Sequence, residues 1–312
     1  MRVLFVCSGN NKANGISPFI QSQADSLVNT GLQVDFFIIK QPGLIGYFKH
    51  IFKLQKFLKT NSFDVIHAHY SLSAIVAGLA GAKPLVVSLL GSDAYIKGWM
   101  RWLTKYFYRN KWVKTIVKTS DMKTRLKMGE AIVLPNGVNM NKYKPIDKQN
   151  ARNKISYISD KKLVLFLANP NRHEKNYPLA LKAFKLIDRT DIELIPVYDQ
   201  PAEIIPYYMN AADVLLLTSK WEGSVNIVKE AMACNLPVVS SDVGDVKENT
   251  ANLKGYYISN SDPDSLAKNI NNALNINKEE LKARERIIDL ELDSESVAKK
   301  LIEIYSEVNS NE

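Results

Sequence analysis

The chain has 312 residues, of which 46% are hydrophobic and 23% are charged. This length suits two domains of ordinary size, and the composition excludes a disordered or fibrous protein. Its two cysteines, Cys7 and Cys234, lie far apart, which excludes a disulfide-rich secreted fold and favours a reducing compartment.

The net charge of +9 is distributed unevenly. Residues 1–150 contain 21 Lys and Arg against 7 Asp and Glu, whereas residues 151–312 contain 20 against 25. A basic half of this kind is typical of a protein with an anionic partner, such as lipid headgroups, nucleic acid or phosphorylated small molecules. No zinc-finger, helix-turn-helix or aromatic ribonucleoprotein motif accompanies the charge, so we expect no nucleic-acid partner.

In the first half, short apolar runs alternate with segments of helical periodicity such as Ser17–Asn29 and Phe48–Lys59. The N-terminal run leads at once into a loop, which favours a buried strand over a signal peptide and predicts a cytoplasmic protein. Strands rich in Val, Ile and Leu and separated by helices predict a parallel sheet covered on both faces. The predicted strands are Val3–Cys7, Val34–Ile39, Val65–Ala68, Leu85–Leu89, Thr115–Lys118 and Ile132–Leu134.

The same alternation restarts after Lys144-Pro145 and continues to a charged helical stretch, Leu281–Val308. We therefore expect an N-terminal domain over residues 1–148, a second domain over 149–290, and a C-terminal helix over 291–312 that packs back on the first domain. Open parallel sheets bind ligands at the carboxyl ends of their strands, so a cleft between two such domains is the expected site. The predicted strands of the second domain are Leu163–Ala168, Ile192–Val197, Val214–Leu217, Pro237–Ser240 and Tyr256–Ile258.

Two stretches of the basic half, Gly43–Lys59 and Gly98–Lys118, interleave cations with aromatic residues. Three of the four tryptophans fall in the second stretch. This mixture suits the headgroup region of an anionic membrane and predicts peripheral attachment to the inner face of the cell membrane. An amphipathic helix that covers a sheet has a similar composition, which is the alternative interpretation.

The most specific segment is Trp221–Ala233, which follows a predicted strand and opens a helix. Glu222 lies in the loop before the helix and Glu230 about two turns inside it. A carboxylate accepts two hydrogen bonds from vicinal hydroxyls, such as those of a ribose or a pyranose, and the N–H groups at a helix start attract phosphates. Two glutamates at this spacing are by themselves common surface residues.

With the following segment Leu236–Asp245, this stretch resembles the Glu-x7-Glu motif of the retaining family 4 glycosyltransferases. The resemblance implies the α/β GT-B fold, in which two Rossmann-like parallel-sheet domains face a cleft. It also implies a nucleoside diphosphate sugar as donor, with Glu230 on the ribose. The residues implied for the donor sugar and diphosphate are Glu222, Ser224, Val225, Asn226 and Ile227.

The similarity extends over most of the chain. Asn14-Gly15-Ile16 resembles the family's glycine loop after the first strand, which places Gly15 against donor and acceptor. Asp64–His69 resembles the third strand of the family, and Pro135–Val138 the element that closes the N-terminal domain.

Two cations, Arg172 and Lys175, follow the strand Leu163–Ala168 and are expected to neutralise a leaving diphosphate. Lys175-Asn176 aligns with the Lys-Gly of similar enzymes. Arg172 is shifted from the family position, which is occupied here by Asn169.

A second departure is Leu90, where relatives often carry a histidine that contacts the donor sugar near C6. An apolar side chain cannot hydrogen-bond a 6-hydroxyl, so the donor sugar is expected to differ at that carbon. His69 and Asp93 are predicted on the acceptor side. His67 and His69 alternate along a strand, so both point to one face. This leaves three interpretations open: a pair of metal ligands, residues in the wall of the site, or core residues whose hydrogen bonds are satisfied.

The pattern Asp262-Pro263-Asp264 is the one Asp-x-Asp in the sequence, and helix capping explains it better than a metal site. We therefore predict no metal and no cofactor. The expected activity is metal-independent transfer of a hexose, with retention, to a glycan or a lipid-linked acceptor in the synthesis of cell-surface polysaccharide or glycolipid. The alternatives are an inactive or regulatory nucleotide-sugar-binding protein and a sugar-nucleotide epimerase of the same fold.

Overall fold

The computed structural model describes residues 1–9, 15–40 and 43–310 of the chain. The chain divides into two compact units, which we call domain 1 (residues 1–137 and 294–312) and domain 2 (residues 138–293). The division precedes the boundary expected after residue 148. Val138 donates a backbone hydrogen bond of 2.9 Å to the Leu292 carbonyl and pairs with Asp293, so it is tied to the end of domain 2.

Domain 1 is built on a parallel sheet with the strand order β2-β1-β3-β4-β5-β6. The strands within the described residues are β1 (Arg2–Ser8), β2 (Gln33–Ile39), β3 (Val65–His69), β4 (Leu85–Ser88), β5 (Lys114–Val117) and β6 (Ile132–Val133). The helices are α1 (Pro18–Asn29), α2 (Gly43–Thr60), α3 (Ser71–Leu79), α4 (Gly98–Asn110), α5 (Ser120–Leu126) and, at the end of the chain, α13 (Ser294–Asn309).

Strand β1 shows why this sheet has a core on each face. Leu4 and Val6 belong to one buried cluster, and Val3, Phe5 and Cys7 belong to the other. Successive side chains of a strand point to opposite faces, so an uninterrupted apolar run requires helices on both sides of the sheet. Helix α13 covers the second face and packs against α1.

Domain 2 repeats this architecture with a parallel sheet of order β11-β10-β9-β7-β8. Its strands are β7 (Lys162–Phe166), β8 (Ile192–Pro196), β9 (Val214–Leu217), β10 (Val238–Ser241) and β11 (Tyr256–Ser259). Its helices are α6 (Lys148–Lys154), α7 (Tyr177–Lys185), α8 (Ile205–Ala211), α9 (Asn226–Ala233), α10 (Val246–Asn249), α11 (Pro263–Leu274) and α12 (Ala283–Asp289).

The prediction of two parallel-sheet α/β domains is confirmed, and every predicted strand is present within a residue or two of its expected bounds. The single helical stretch expected over Leu281–Val308 is instead two helices, α12 and α13. Glu291 between them has a φ of 52°, in the left-handed region that ends a helix. Within the described residues, no helix combines the length and apolarity needed to cross a bilayer.

Candidate active site

The loops that follow β7, β9 and β10 lie at the same edge of the domain 2 sheet, because these three parallel strands are neighbours. Their hydroxyl groups tie the loops together. Ser241 donates to the Ser219 carbonyl at 2.7 Å, and Thr218 donates to the carbonyls of Lys175 and Asn176 at 3.0 and 3.1 Å. The edge predicted to bind the donor is thus a hydrogen-bonded platform.

On this platform Lys175 and Glu222 form an ion pair, with the lysine Nζ on Glu222 Oε1. The same carboxylate oxygen accepts a 2.8 Å hydrogen bond from the Ser219 hydroxyl. The two charged side chains are only 14% and 20% exposed, so water screens their attraction incompletely. The structure therefore brings together the lysine and the first glutamate of the motif, which are 47 residues apart in sequence.

Arg172 lies on the same loop but in a different environment. Its guanidinium contacts Glu174 at 2.5 Å, and its side chain is 59% exposed. A pair this exposed contributes little to stability and is easily rearranged. Arg172 is thus less firmly positioned than Lys175.

A cluster of hydrogen-bonded polar groups, formed by Asp245, Ser224 and Lys229, holds the start of α9 in place. We call this cluster the α9 bracket; the sequence did not predict it. Asp245 accepts hydrogen bonds from the Ser224 hydroxyl at 2.6 Å and from the Val225 backbone N–H at 2.8 Å. Lys229, which is fully buried, donates to the Ser224 hydroxyl at 2.8 Å. Burial lowers the pKa of Lys229, while the nearby carboxylates of Asp245 and Glu230 act in the opposite direction.

This bracket fixes the direction in which the first turn of α9 points. Asn226 and Ile227 open the helix, and the N–H groups of a first turn are directed out of the helix start, where they attract anions. The Ser224 hydroxyl donates to Asp245, so the contribution of this residue to a donor sugar would come from its backbone or its remaining lone pair.

Glu230 lies inside α9, as expected, and is mostly buried. Burial raises the pKa of its carboxyl to about 7, although a hydrogen bond from Tyr143 and the charges of Lys142 and Lys229 oppose the shift. A carboxyl with this pKa is about half ionised at neutral pH. Unusual pKa values of this kind are characteristic of functional sites and of buried structural groups alike.

The loop after β10 passes unusually close to the loop before α9. Gly244 has a φ of +58°, and a Cβ atom at this position would collide with the Gly223 carbonyl oxygen. Glycine is the residue that tolerates both the left-handed conformation and the contact.

We expect Gly244→Ala to lower the melting temperature and to loosen the α9 bracket. The left-handed conformation and the collision together should reduce the free energy of unfolding by about 1–3 kcal/mol more than the conformation alone. Gly31→Ala is the matched control, since Gly31 has a φ of +90° and, beyond its two chain neighbours, no described residue has an atom within 4 Å of the place that an added Cβ would take. Equal losses in the two variants, measured by thermal unfolding, would contradict the proposed close approach.

The remaining predicted residues belong to domain 1. Asp93 is fully buried and accepts backbone hydrogen bonds from Leu90 at 2.6 Å and Ser71 at 3.2 Å. Burial raises its pKa to about 6. Asp93 therefore links the segment after β4 to the start of α3, a structural task that is compatible with the predicted acceptor role.

The two histidines of β3 are both buried and stack with their ring centroids 4.3 Å apart. His67 is hydrogen-bonded to the Tyr305 hydroxyl at 2.5 Å and to the Ser88 hydroxyl at 2.9 Å, so it is a satisfied core residue. His69 lies at the carboxyl end of the strand, and its Nε2 has no hydrogen-bond partner among the described residues.

Gly15 has a φ of +83° and lies beside Gly9 at the end of β1. Asn14, which shares its motif, lies outside the described residues. Asp262 caps α11 through a 2.8 Å hydrogen bond from the Ser265 N–H, so the capping interpretation of the Asp-x-Asp pattern is confirmed. Within the described residues, no group of three His, Cys, Asp or Glu side chains is arranged to hold a metal ion.

Two protein-family models match separate parts of the chain. Glycosyltransferase Family 4 matches residues 3–142, and Glycosyl transferases group 1 matches residues 197–289, which include both motif glutamates. The chain belongs to the group 1, family 4 glycosyltransferases. The family resemblance read from the motifs is thereby confirmed.

Two curated relatives are named as glycosyltransferases with a stated substrate or product. TuaC of Bacillus subtilis, named for teichuronic acid biosynthesis, is 26% identical over 216 residues, which are 59% of this chain and 54% of that protein. The chain thus matches about half the length of this relative. A UDP-Gal:alpha-D-GlcNAc-diphosphoundecaprenol alpha-1,3-galactosyltransferase of Escherichia coli is 25% identical, with 72% of this chain and 69% of that protein covered.

Solved structures show that the fold is GT-B. Sucrose-phosphate synthase of Thermosynechococcus elongatus superposes with a TM-score of 0.82 at 18% identity, covering 100% of this chain and 99% of that one. Anabaena Alr3699/HepE in complex with UDP gives 0.76 at 16% identity, covering 98% and 100%. The individual roles assigned to Glu222, Lys175, Arg172, Glu230 and the acceptor-side residues stay predictions.

Proposed function

We propose that this glycosyltransferase moves a hexose from a nucleoside diphosphate sugar to a hydroxyl of a glycan or lipid-linked acceptor, with retention of configuration. The observation that carries the proposal is the platform of domain 2. A largely buried cation, Lys175, pairs there with Glu222, and the α9 bracket around Asp245 fixes the start of α9, whose first N–H groups attract anions. Glu230 lies further along the same helix and is assigned to the ribose hydroxyls.

In the proposed reaction, the bond between the anomeric carbon and the diphosphate oxygen breaks, and its electron pair leaves with the nucleoside diphosphate. The acceptor oxygen forms the new bond on the same face of the sugar, and its proton passes to the departing phosphate oxygen. Lys175, the start of α9 and Arg172 stabilise the negative charge that develops on the leaving group. Glu222 contacts the sugar. Its carboxylate also orients Lys175 until the donor binds, when the diphosphate replaces part of the contact between Glu222 and the lysine.

The relatives support the choice of substrates. Alr3699/HepE has been solved with UDP, with UDP and glucose, and with UDP-glucose. The Escherichia coli relative is named for a UDP-sugar donor and a diphosphoundecaprenol acceptor, and TuaC for the biosynthesis of teichuronic acid. We infer the same classes here: a nucleoside diphosphate hexose, and a glycan or lipid-linked acceptor.

We also infer that the chain acts in the cytoplasm, at the inner face of the cell membrane. Cys7 and Cys234 are both buried free thiols, which suits a reducing compartment. The basic aromatic helices of domain 1 provide a means of attachment to the membrane.

The decisive experiment is a screen of nucleoside diphosphate sugars by thermal unfolding, followed by a transfer assay with the sugars that bind. A true donor present at 100 times its dissociation constant should stabilise the protein by about 2.7 kcal/mol. NMR of the product should show the anomeric configuration of the donor. An inverted product would overturn retention, and epimerisation of the donor without acceptor would favour the epimerase alternative.

A further inference from the structure

Helices α2, α3 and α4 of domain 1 border an open apolar groove of about 440 Å³. Eleven of its twelve lining residues are apolar or aromatic, and Lys49 is the exception. The volume lies in the range of small-molecule sites, but the lining lacks the converging polar groups that orient a polar ligand. The groove is therefore suited to a hydrocarbon.

Two of the helices that border this groove, α2 and α4, expose large apolar side chains in a regular arrangement. On α2, Ile45, Phe48 and Phe52 are exposed at i, i+3 and i+7. On α4, the same spacing exposes Trp99, Trp102 and Tyr106, and the rings of Trp102 and Tyr106 stack at 6.0 Å. Residues at this spacing share one face of a helix. Continuous exposed apolar surface of this kind marks an interaction site.

Cations run beside both apolar rows. The sequences of α2 and α4 contain no Asp or Glu. Within the described residues, none of the lysines and arginines of these two helices forms an ion pair; they are Lys49, Lys53, Lys56, Lys59, Arg101, Lys105 and Arg109. Desolvation and the like charges of Arg101, Lys127 and Arg109 lower the pKa of Lys105. The surface is thus complementary to an anionic partner.

We propose that this surface binds an anionic membrane and that the groove between α2, α3 and α4 holds one hydrocarbon chain of a bound lipid. Exposed Trp, Tyr and Phe beside Lys and Arg match the boundary between acyl chains and phosphates. A nucleic acid would use the cations but not a groove whose lining is apolar apart from Lys49. The proposal rests on the membrane attachment inferred under the proposed function. It adds the class of lipid that is bound and the position of the hydrocarbon chain of that lipid.

The first test measures binding to vesicles of phosphatidylcholine, with and without phosphatidylglycerol. Binding should require phosphatidylglycerol and weaken as salt rises. Lys53→Gln combined with Lys56→Gln should weaken it about 25-fold, because each cation near such a surface contributes about fivefold. Lys182→Gln combined with Lys185→Gln is the matched control, since it removes the same charge from exposed positions of α7. Equal binding to neutral vesicles, or an unaffected α2 variant, would overturn the anionic surface.

The second test isolates the groove from the bilayer. Short-chain phosphatidylglycerol, kept below the concentration at which it forms micelles, should bind at one molecule per chain and change the fluorescence of Trp99, which lines the groove. Inorganic phosphate should not compete with it at equal concentration.

Leu79→Gln places a polar group in the groove and should weaken this binding about fivefold. That factor corresponds to the free energy gained when about half of a leucine side chain is buried against the lipid. Leu186→Gln is the matched control: both leucines are 53% exposed and lie at a helix end, but Leu186 is in domain 2. No binding of the monomeric lipid, or unchanged binding by Leu79→Gln, would overturn the groove assignment. Sugar transfer to a water-soluble acceptor tests the proposed function separately, because it needs no lipid.

Discussion

Lys175→Ala should lower kcat/KM for sugar transfer by roughly 30-fold to several thousand-fold, because removing a cation from a partly desolvated diphosphate costs about 2–5 kcal/mol. Arg172→Ala should cost less than tenfold, since its guanidinium is exposed and bound to Glu174. Lys182→Ala, which removes an exposed lysine from the next helix, is expected to be neutral. Steady-state kinetics of the three variants test the ranking.

A loss of activity in Lys175→Ala would also follow from the broken ion pair with Glu222. This explanation must be separated from the loss of the cation itself. Removing the lysine leaves a poorly exposed carboxylate without its cation, which by itself could distort the loop. Adding Glu222→Gln to Lys175→Ala removes that orphaned charge. If the missing cation is what matters, the double variant is at least as slow as Lys175→Ala, because Glu222 is itself assigned to the donor sugar; recovery of activity would assign the loss to the orphaned carboxylate.

The same electrostatic argument predicts that a chelator leaves transfer unchanged. In the proposed mechanism Lys175, the α9 start and Arg172 supply the positive charge that a divalent metal supplies in other enzymes. Activity measured after dialysis against a chelator should equal that of the untreated protein. Loss of activity that a divalent cation restores would contradict this mechanism.

Glu230→Gln should weaken donor binding at least tenfold at pH 8, because hydrogen bonds to a charged acceptor contribute about 1.5–3 kcal/mol. With the pKa of Glu230 at about 7, the wild-type protein should bind the donor more tightly as the pH rises through 7. The Gln variant should lack this dependence. Calorimetry across this pH range measures both effects, with Glu248→Gln, an exposed acid on α10, as the control.

Glu230→Gln should also stabilise the free protein at pH 8. The carboxyl ionises near pH 4.5 when the chain is unfolded but only near 7 when it is folded, so folding holds a proton that the unfolded chain releases. Stability therefore falls between pH 4.5 and 7 and stays lower above 7. The neutral amide avoids this loss, which should raise the free energy of unfolding by about 1–3 kcal/mol. Unchanged donor affinity together with unchanged stability would rule out a buried, ribose-binding carboxylate.

Patterning alone predicted the strands because both sheets are buried on both faces, which makes each strand a nearly uninterrupted apolar run. Val214–Leu217 is the clearest case, with identical predicted and observed bounds. The loop position of Glu222 and the helical position of Glu230 followed from the same reasoning.

The bracket at the start of α9 could not be predicted in this way. Its contact between Ser224 and Asp245 joins residues 21 positions apart in different loops. Lys229, one residue before Glu230, is of a residue type that is normally solvated, yet it is fully buried. A useful signal would have been a lysine on the otherwise apolar side of a helix at the binding edge of the sheet. The break before α13 was equally hidden, because Glu291 is not a residue type that favours a positive φ.

The return of α13 to domain 1 has a consequence for the order in which the chain folds during synthesis. Domain 2 is a continuous segment, so all of its residues have left the ribosome before α13 emerges. Domain 1 must wait, because Tyr305 and Leu301 complete the core around Phe5, and Tyr305 reaches His67 across 238 residues. The first segment to be translated is therefore the last to be finished, and until then the part of its sheet that α13 covers exposes apolar surface.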